Sequence, residues 1–283
     1  MLASYQMIQP RQTRPVERIA AVPLQSLLHP DDPKPVGVEN PRGTSAILFV
    51  ADHAGRAIPR QLGDLGLPEA ELSRHIGYDI GIHAVTTKLA RNLNAAYIFQ
   101  PYSRLVIDCN RRPGKPQSIV LQSDGTVVPA NAALDPAAVR QREAEILRPY
   151  QDQIERTLLA RAASDHPTVL FAMHSCTDRL RMDQRPRPWE ISVIADSDWR
   201  LGTALVDVLR AETSFCVGVN EPYTVNMAMD YTVPIHAEGN KLPYVEIEIR
   251  QDLIGDEAGQ CAWADVLARI FPMAVARLGT CLT

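Results

Sequence analysis

Two histidines stand in the same sequence setting. His53 follows the apolar run Ile47-Leu48-Phe49-Val50-Ala51, and His174 follows Val169-Leu170-Phe171-Ala172-Met173. A continuous apolar run of this length, bounded by Gly43-Thr44-Ser45 before and Gly55 after, predicts a strand buried on both faces of a parallel sheet. Ligands of open α/β sheets gather at the carboxyl ends of such strands. Two imidazoles at two strand exits could converge on one metal; taken singly, each would only cap a strand through a satisfied hydrogen bond. Neutral imidazole is a common zinc ligand, and a catalytic zinc takes three protein ligands plus water. The third ligand should be acidic. Asp79 is the first candidate, because it lies at the head of the helix after the His53 loop, where an ordinary N-cap would also stand. Asp52 ranks lower, since its carboxylate would share a cramped turn with His53.

Around this core lie groups suited to binding a carboxylate. In Ser103-Arg104-Leu105-Val106-Ile107-Asp108-Cys109-Asn110-Arg111, an arginine directed into a strand-end pocket offers a planar fork. Asn110 and Arg111, just beyond, could hold a second set of oxygens. The plainer reading of Arg104 is an ion pair with Asp108 on one sheet face. Glu246 and Glu248 alternate with Val245, Ile247 and Ile249, so both carboxylates share one strand face. Two buried carboxylates are costly without a nearby cation; a metal with neighbouring arginines accounts for them better than an exposed edge strand. His236 could reach the same pocket from the preceding loop, or be simply solvated.

The elements that must position these groups alternate between strand and helix patterns. Acids and Pro68 open a helix near residue 69. Ile82, Val85, Leu89 and Leu93 mark a second helix. Short strands are expected at 97–99 and 102–108, then a long loop over 112–134. Asp135-Pro136 caps a long helix with a kink at Pro149. Strands follow at 191–195, 215–217 and 244–249, with helices marked by Leu201, Leu205, Val208 and Leu209 and by residues 263–278, the last broken or kinked at Pro272. This alternation predicts an α/β fold with a largely parallel sheet. Residues 1–44 carry seven prolines and read as an extended arm, leaving 45–283 as one domain.

Composition excludes several classes of function. The 283 residues carry a net charge of −4 and 22% charged residues, so no basic surface for nucleic acid is expected. No apolar stretch is long enough to span a bilayer, and no signal-peptide pattern is present. Five scattered cysteines without a CxxC pair point to reduced thiols and a cytoplasmic protein. Oligomeric state is not encoded in any pattern of this kind.

Taken in order, Asp52-His53-Ala54-Gly55 with Ile58-Pro59, Tyr78-Asp79, the segment from Ser103 to Arg111, Met173-His174-Ser175 and Glu246-Ile247-Glu248-Ile249-Arg250 resemble the N-formylglutamate amidohydrolase family over residues 45–255. The resemblance implies a zinc carboxypeptidase-like fold (phosphorylase/hydrolase-like): one domain, its mixed, largely parallel sheet flanked by helices. It implies hydrolysis of an N-acyl amide bond next to a free carboxylate. It further implies zinc held by His53, Asp79 and His174, Glu248 as general base and Arg104 as oxyanion stabiliser. Asn110 and Arg111 would grip the substrate carboxylate, and Glu246 would support them. Two departures stand out. The zinc carboxypeptidases open with His-x-x-Glu, whereas here the third residue after His53 is Arg56, so Asp79 must replace that glutamate. The family's usual Pro-His-Ser-Gly reads Asp-His-Ala-Gly. Alternatives on the same scaffold are a carboxypeptidase, a deacylase for larger acyl groups, or a non-catalytic protein binding acidic ligands.

Overall fold

The first apolar run forms strand β2 (Ile47–Ala51), buried along its whole length, because it has a strand on either side and helices over both faces. The structure is a computed structural model that describes residues 26–280; the expectation for the arm as far as residue 25 lies outside them. Seven strands make one sheet in the order β1-β3-β2-β6-β9-β7-β8. They are β1 (Gly37–Glu39), β2, β3 (Ala96–Phe99), β6 (Val169–Cys176), β7 (Ile191–Ile194), β8 (Val217–Val219) and β9 (Tyr244–Arg250). A hairpin of β4 (Gln122–Ser123) and β5 (Thr126–Val127) lies apart. The central strands β3, β2, β6 and β9 are parallel. At one edge β1 runs antiparallel to β3; towards the other, β7 runs antiparallel to β9 and carries the edge strand β8 parallel to itself. This is a single-domain, mixed, mostly parallel sheet flanked by helices.

Side-chain alternation divides the core in two. On one face Phe49, Phe171, Ile247 and their neighbours pack with residues of α2 (Ile82–Asn92), α5 (Arg200–Glu212) and α6 (Glu257–Thr280). On the other, Leu48, Val50, Leu170, Ala172 and Tyr244 meet Ile146, Tyr150 and Ile154 and the buried segment 105–107. Each fully buried side chain of this kind contributes about 1.5–3 kcal/mol. The second face, at the carboxyl ends of β2, β6 and β9, is where His174, Glu246 and Glu248 project. The remaining helices are α1 (Glu69–Leu72), α3 (Pro136–Arg142) and α4 (Arg148–Ala163).

Three local expectations need correction. Residues 102–108 form a buried turn instead of a strand, since β2 already has β3 and β6 as partners. Their backbone groups are satisfied by other means: Ser103 N–H donates to the Ala57 carbonyl, Arg104 N–H to that of Gly77, and Asn131 Nδ2 to that of Leu105. The long helix is interrupted one turn earlier than Pro149, by a π-helical turn at Glu143–Leu147, which absorbs the missing proline N–H. Asp135 caps its start as expected, accepting from Ala138 N–H at 2.7 Å. Helix α6 continues unbroken past Pro272, which faces solvent, where water can satisfy the carbonyl left free. Among the described residues no helix is long and apolar enough to cross a membrane.

Candidate active site

Strand register places the first pair of side chains. In the parallel pairing of β6 with β9, His174 stands opposite Glu248 and Ala172 opposite Glu246, so His174 and both glutamates emerge on one face. His53 arrives from the turn after β2. That turn requires Gly55, since a Cβ there would lie 1.9 Å from the Pro101 carbonyl oxygen. The His53 carbonyl accepts from the Asp79 N–H at 2.9 Å, drawing the third element in. Asp79 does not cap α2. The N-cap is Gly81, left-handed at φ 80° and without a side-chain cap, so the Asp79 carboxylate is left for the site.

Asp79 Oδ2 lies 2.9 Å from His174 Nδ1 and 3.5 Å from His53 Nδ1. All three residues are buried, and one ligand atom from each falls within 4.8 Å of the others. His53 Nδ1 has no hydrogen-bond partner among the described residues. Two imidazole nitrogens, one of them unpartnered, and one carboxylate oxygen match the three-ligand donor set of a metal site that keeps an open position. The buried His-Asp-His group could therefore bind a metal ion. The opposite ring nitrogens face carboxylates: His53 Nε2 is 2.7 Å from Asp108 Oδ1, and His174 Nε2 is 3.4 Å from Asp52 Oδ2. Carboxylates behind metal-binding imidazoles set the tautomer and ring orientation. Asp52 thus stands behind His174, not beside His53 as a competing ligand.

Arg104 combines both readings of its role. Its NH2 donates to Asp108 Oδ2 at 2.7 Å, while NH1 lies 3.5 Å from Asp79 Oδ1. The turn, rather than strand alternation, brings these groups together. Burial alone would raise the Asp79 and Asp108 carboxyls, but the imidazoles and, for Asp108, Arg104 hold both below the usual carboxylate range. Glu248 behaves differently: burial pushes it up to about 8, and Oε2 has no hydrogen-bond partner among the described residues. Glu246 is also raised by burial. A site holding two buried, uncompensated carboxyls is suited to receive a cation.

A cavity of about 480 Å³ is lined by His53, Asp79, His174, Arg104, Asn110, Arg111, Glu246 and Glu248. Arg111 is ion-paired with Asp230, whose Oδ2 accepts from the Asn226 N–H at 2.8 Å. Asn110 Oδ1 accepts from the Tyr231 and Thr232 N–H groups at 3.3 and 3.1 Å, pinning that loop to the site. His236 does not join them. It is buried on the π-helical turn Val233–Ala237, bonds Gln151 Oε1 at 2.7 Å, and lines a different cavity beside α4. Its neighbours on the turn and α4 point it away from the strand ends. Sequence reasoning brings neither Asp108 nor Asp230 to the site, and it offers Asp52 only as a lower-ranked ligand beside His53. For Asp108 the only local signal is its spacing from Arg104; Asp230 had none.

The family model of N-formylglutamate amidohydrolase matches residues 45–255. The crystal structure of a gene product from Agrobacterium tumefaciens aligns with a TM-score of 0.85 at 33% identity, covering 89% of this chain and 99% of that one. The N-formylglutamate amidohydrolase of Ralstonia eutropha aligns at 0.68 and 18% identity, covering 86% and 98%, a likeness that speaks for the fold. Comparison with curated proteins gave no match.

Proposed function

Because this chain belongs to the N-formylglutamate amidohydrolase family, we propose that it is a metal-dependent hydrolase of the amide bond in an N-acyl amino acid such as N-formylglutamate, releasing the acid and the free amino acid. The observation that carries the reading is the convergence of His53, Asp79 and His174 from three separate elements, with Glu248 on the adjacent strand. These residues would hold one divalent ion, zinc by the chemistry of its donors. When bound, such an ion lowers the pKa of a water and polarises the amide carbonyl.

The chain's own groups supply the rest. Burial raises Glu248, and a cation held beside it would draw it back towards the ionised form that a base needs. Glu248 takes a proton from the attacking water and returns it to the leaving amine. Arg104, anchored by Asp108 and Asp79, faces developing negative charge on the amide oxygen. Arg111, steadied by Asp230, and Asn110 grip the substrate carboxylate. Glu246 supports this end of the cavity. A reduced, cytoplasmic setting agrees with the four described cysteines, all of them free.

The test is elemental analysis joined to a hydrolysis screen of N-formyl, N-acetyl and dipeptide substrates, with and without chelator. About one equivalent of zinc and chelator-sensitive release of an amino acid are expected. Metal-free protein that binds an acidic ligand without turnover would replace this reading with that of a binding protein.

A further inference from the structure

His174 can present Nδ1 to a metal only if Nε2 carries the proton, and a buried N–H needs an acceptor. Asp52 Oδ2, 3.4 Å away, is the acceptor that faces it. Both atoms are buried and neither makes a hydrogen bond among the described residues, so each has only the other to face. What sets the orientation of Asp52 is a chain of buried polar groups arriving from the far side of the sheet face. Thr232 Oγ1 donates to Asp52 Oδ1 at 2.5 Å. Gln151 Nε2 donates to Thr232 Oγ1 at 3.1 Å and to the Cys109 carbonyl at 2.6 Å.

The carbonyl settles which end of Gln151 is the amide nitrogen, because a carbonyl accepts only from a donor. Gln151 Oε1 must then accept, and His236 Nε2 is the donor, at 2.7 Å. Every hydrogen in the chain therefore points one way, from His236 through Gln151 and Thr232 to Asp52. Thr232 is fully buried, and Asp52, Gln151 and His236 nearly so. Burying each such group costs about 1–3 kcal/mol if its partner is missing, so the chain stands only as a satisfied whole.

We propose that Thr232 and Gln151 are positioning residues of the metal site, holding the Asp52 carboxylate where it receives the Nε2 proton of His174 and leaves Nδ1 to the metal. The inference rests on the metal-dependent reading given above. It explains why a threonine and a glutamine far apart in the chain are buried behind a histidine neither touches.

The experiment measures zinc affinity by competition with a chromogenic chelator, alongside the melting temperature of the metal-free protein. Thr232→Val, close in volume, removes the donor; its zinc affinity should fall about 10- to 100-fold. Thr232→Ser keeps the hydroxyl and should restore it. If Thr232→Val does not fold, Gln151→Met gives the same reading, with a smaller loss of zinc affinity expected because Thr232 still donates. A lowered melting temperature with zinc affinity unchanged in the folded protein would mean the chain is merely structural, and would overturn the proposal. Wild-type protein that binds no zinc would remove the functional reading and this inference together; wild-type binding matched by Thr232→Val would remove the inference alone.

Discussion

Replacing Glu248 by Gln tests the base separately from the rest of the site. The carboxyl is 6% exposed, Oε2 has no hydrogen-bond partner among the described residues, and burial pushes its pKa up to about 8 from the ordinary 4.5. In metal-free protein the folded chain keeps this proton over a range where the unfolded chain has lost it. The contribution of Glu248 to stability is therefore fully present below 4.5, falls as the pH rises to about 8, and is constant beyond. A gap of that size amounts to at most about 5 kcal/mol, and to roughly half of it once water in the cavity screens the charge. Glu248→Gln does not titrate, so this slope should vanish from denaturant titrations of metal-free protein between pH 4.5 and about 8. At matched zinc occupancy the same variant should lose on the order of 100-fold or more in kcat while retaining metal. Parallel stability profiles for variant and wild type would refute the account of the buried carboxyl. Near-normal turnover beside an inactive Glu246→Gln variant would transfer the base role to Glu246.

His53→Ala and His174→Ala should each abolish zinc retention in a folded protein, read by elemental analysis; full occupancy in either would end the ligand assignment. Asp79→Asn should weaken zinc retention as well, and a fully active variant would move that ligand role elsewhere. Arg111→Ala should raise KM, equivalent to about 1.5–3 kcal/mol of lost charge-assisted contact, and should matter little for a substrate whose carboxylate is amidated. His236, held by burial at about 4 against 6.5, stays neutral in the folded chain while the unfolded chain takes up a proton. Stability present above 6.5 is thus lost as the pH falls to about 4, by up to about 3 kcal/mol. His236→Gln should flatten that acid-side loss in thermal melts.

The central strands, the main helices and the two histidines that follow apolar runs were legible because they rest on local physics; His174 itself falls inside β6, not beyond it. An apolar run in Ile47–Ala51 can be buried only with neighbours on both sides, and alternation in 244–249 puts Glu246 and Glu248 on one face whatever the strand packs against. Asp79 was also within reach as the acid near the head of α2, but only the structure places the cap two residues on, at Gly81. What each carboxylate faces was not legible. Asp52 adjoins His53 yet stands behind His174, and Asp108, spaced from Arg104 as if along a strand, meets both Arg104 and His53 through a turn. The sheet order β3-β2-β6-β9 decides these pairings. His236 left the site for the same reason, because its direction is set by α4 and Gln151. Local periodicity tells a side chain which face of its own element to occupy. Which residue of a distant segment it then meets depends on how the elements pack together, and that was decided only when the chain closed on itself.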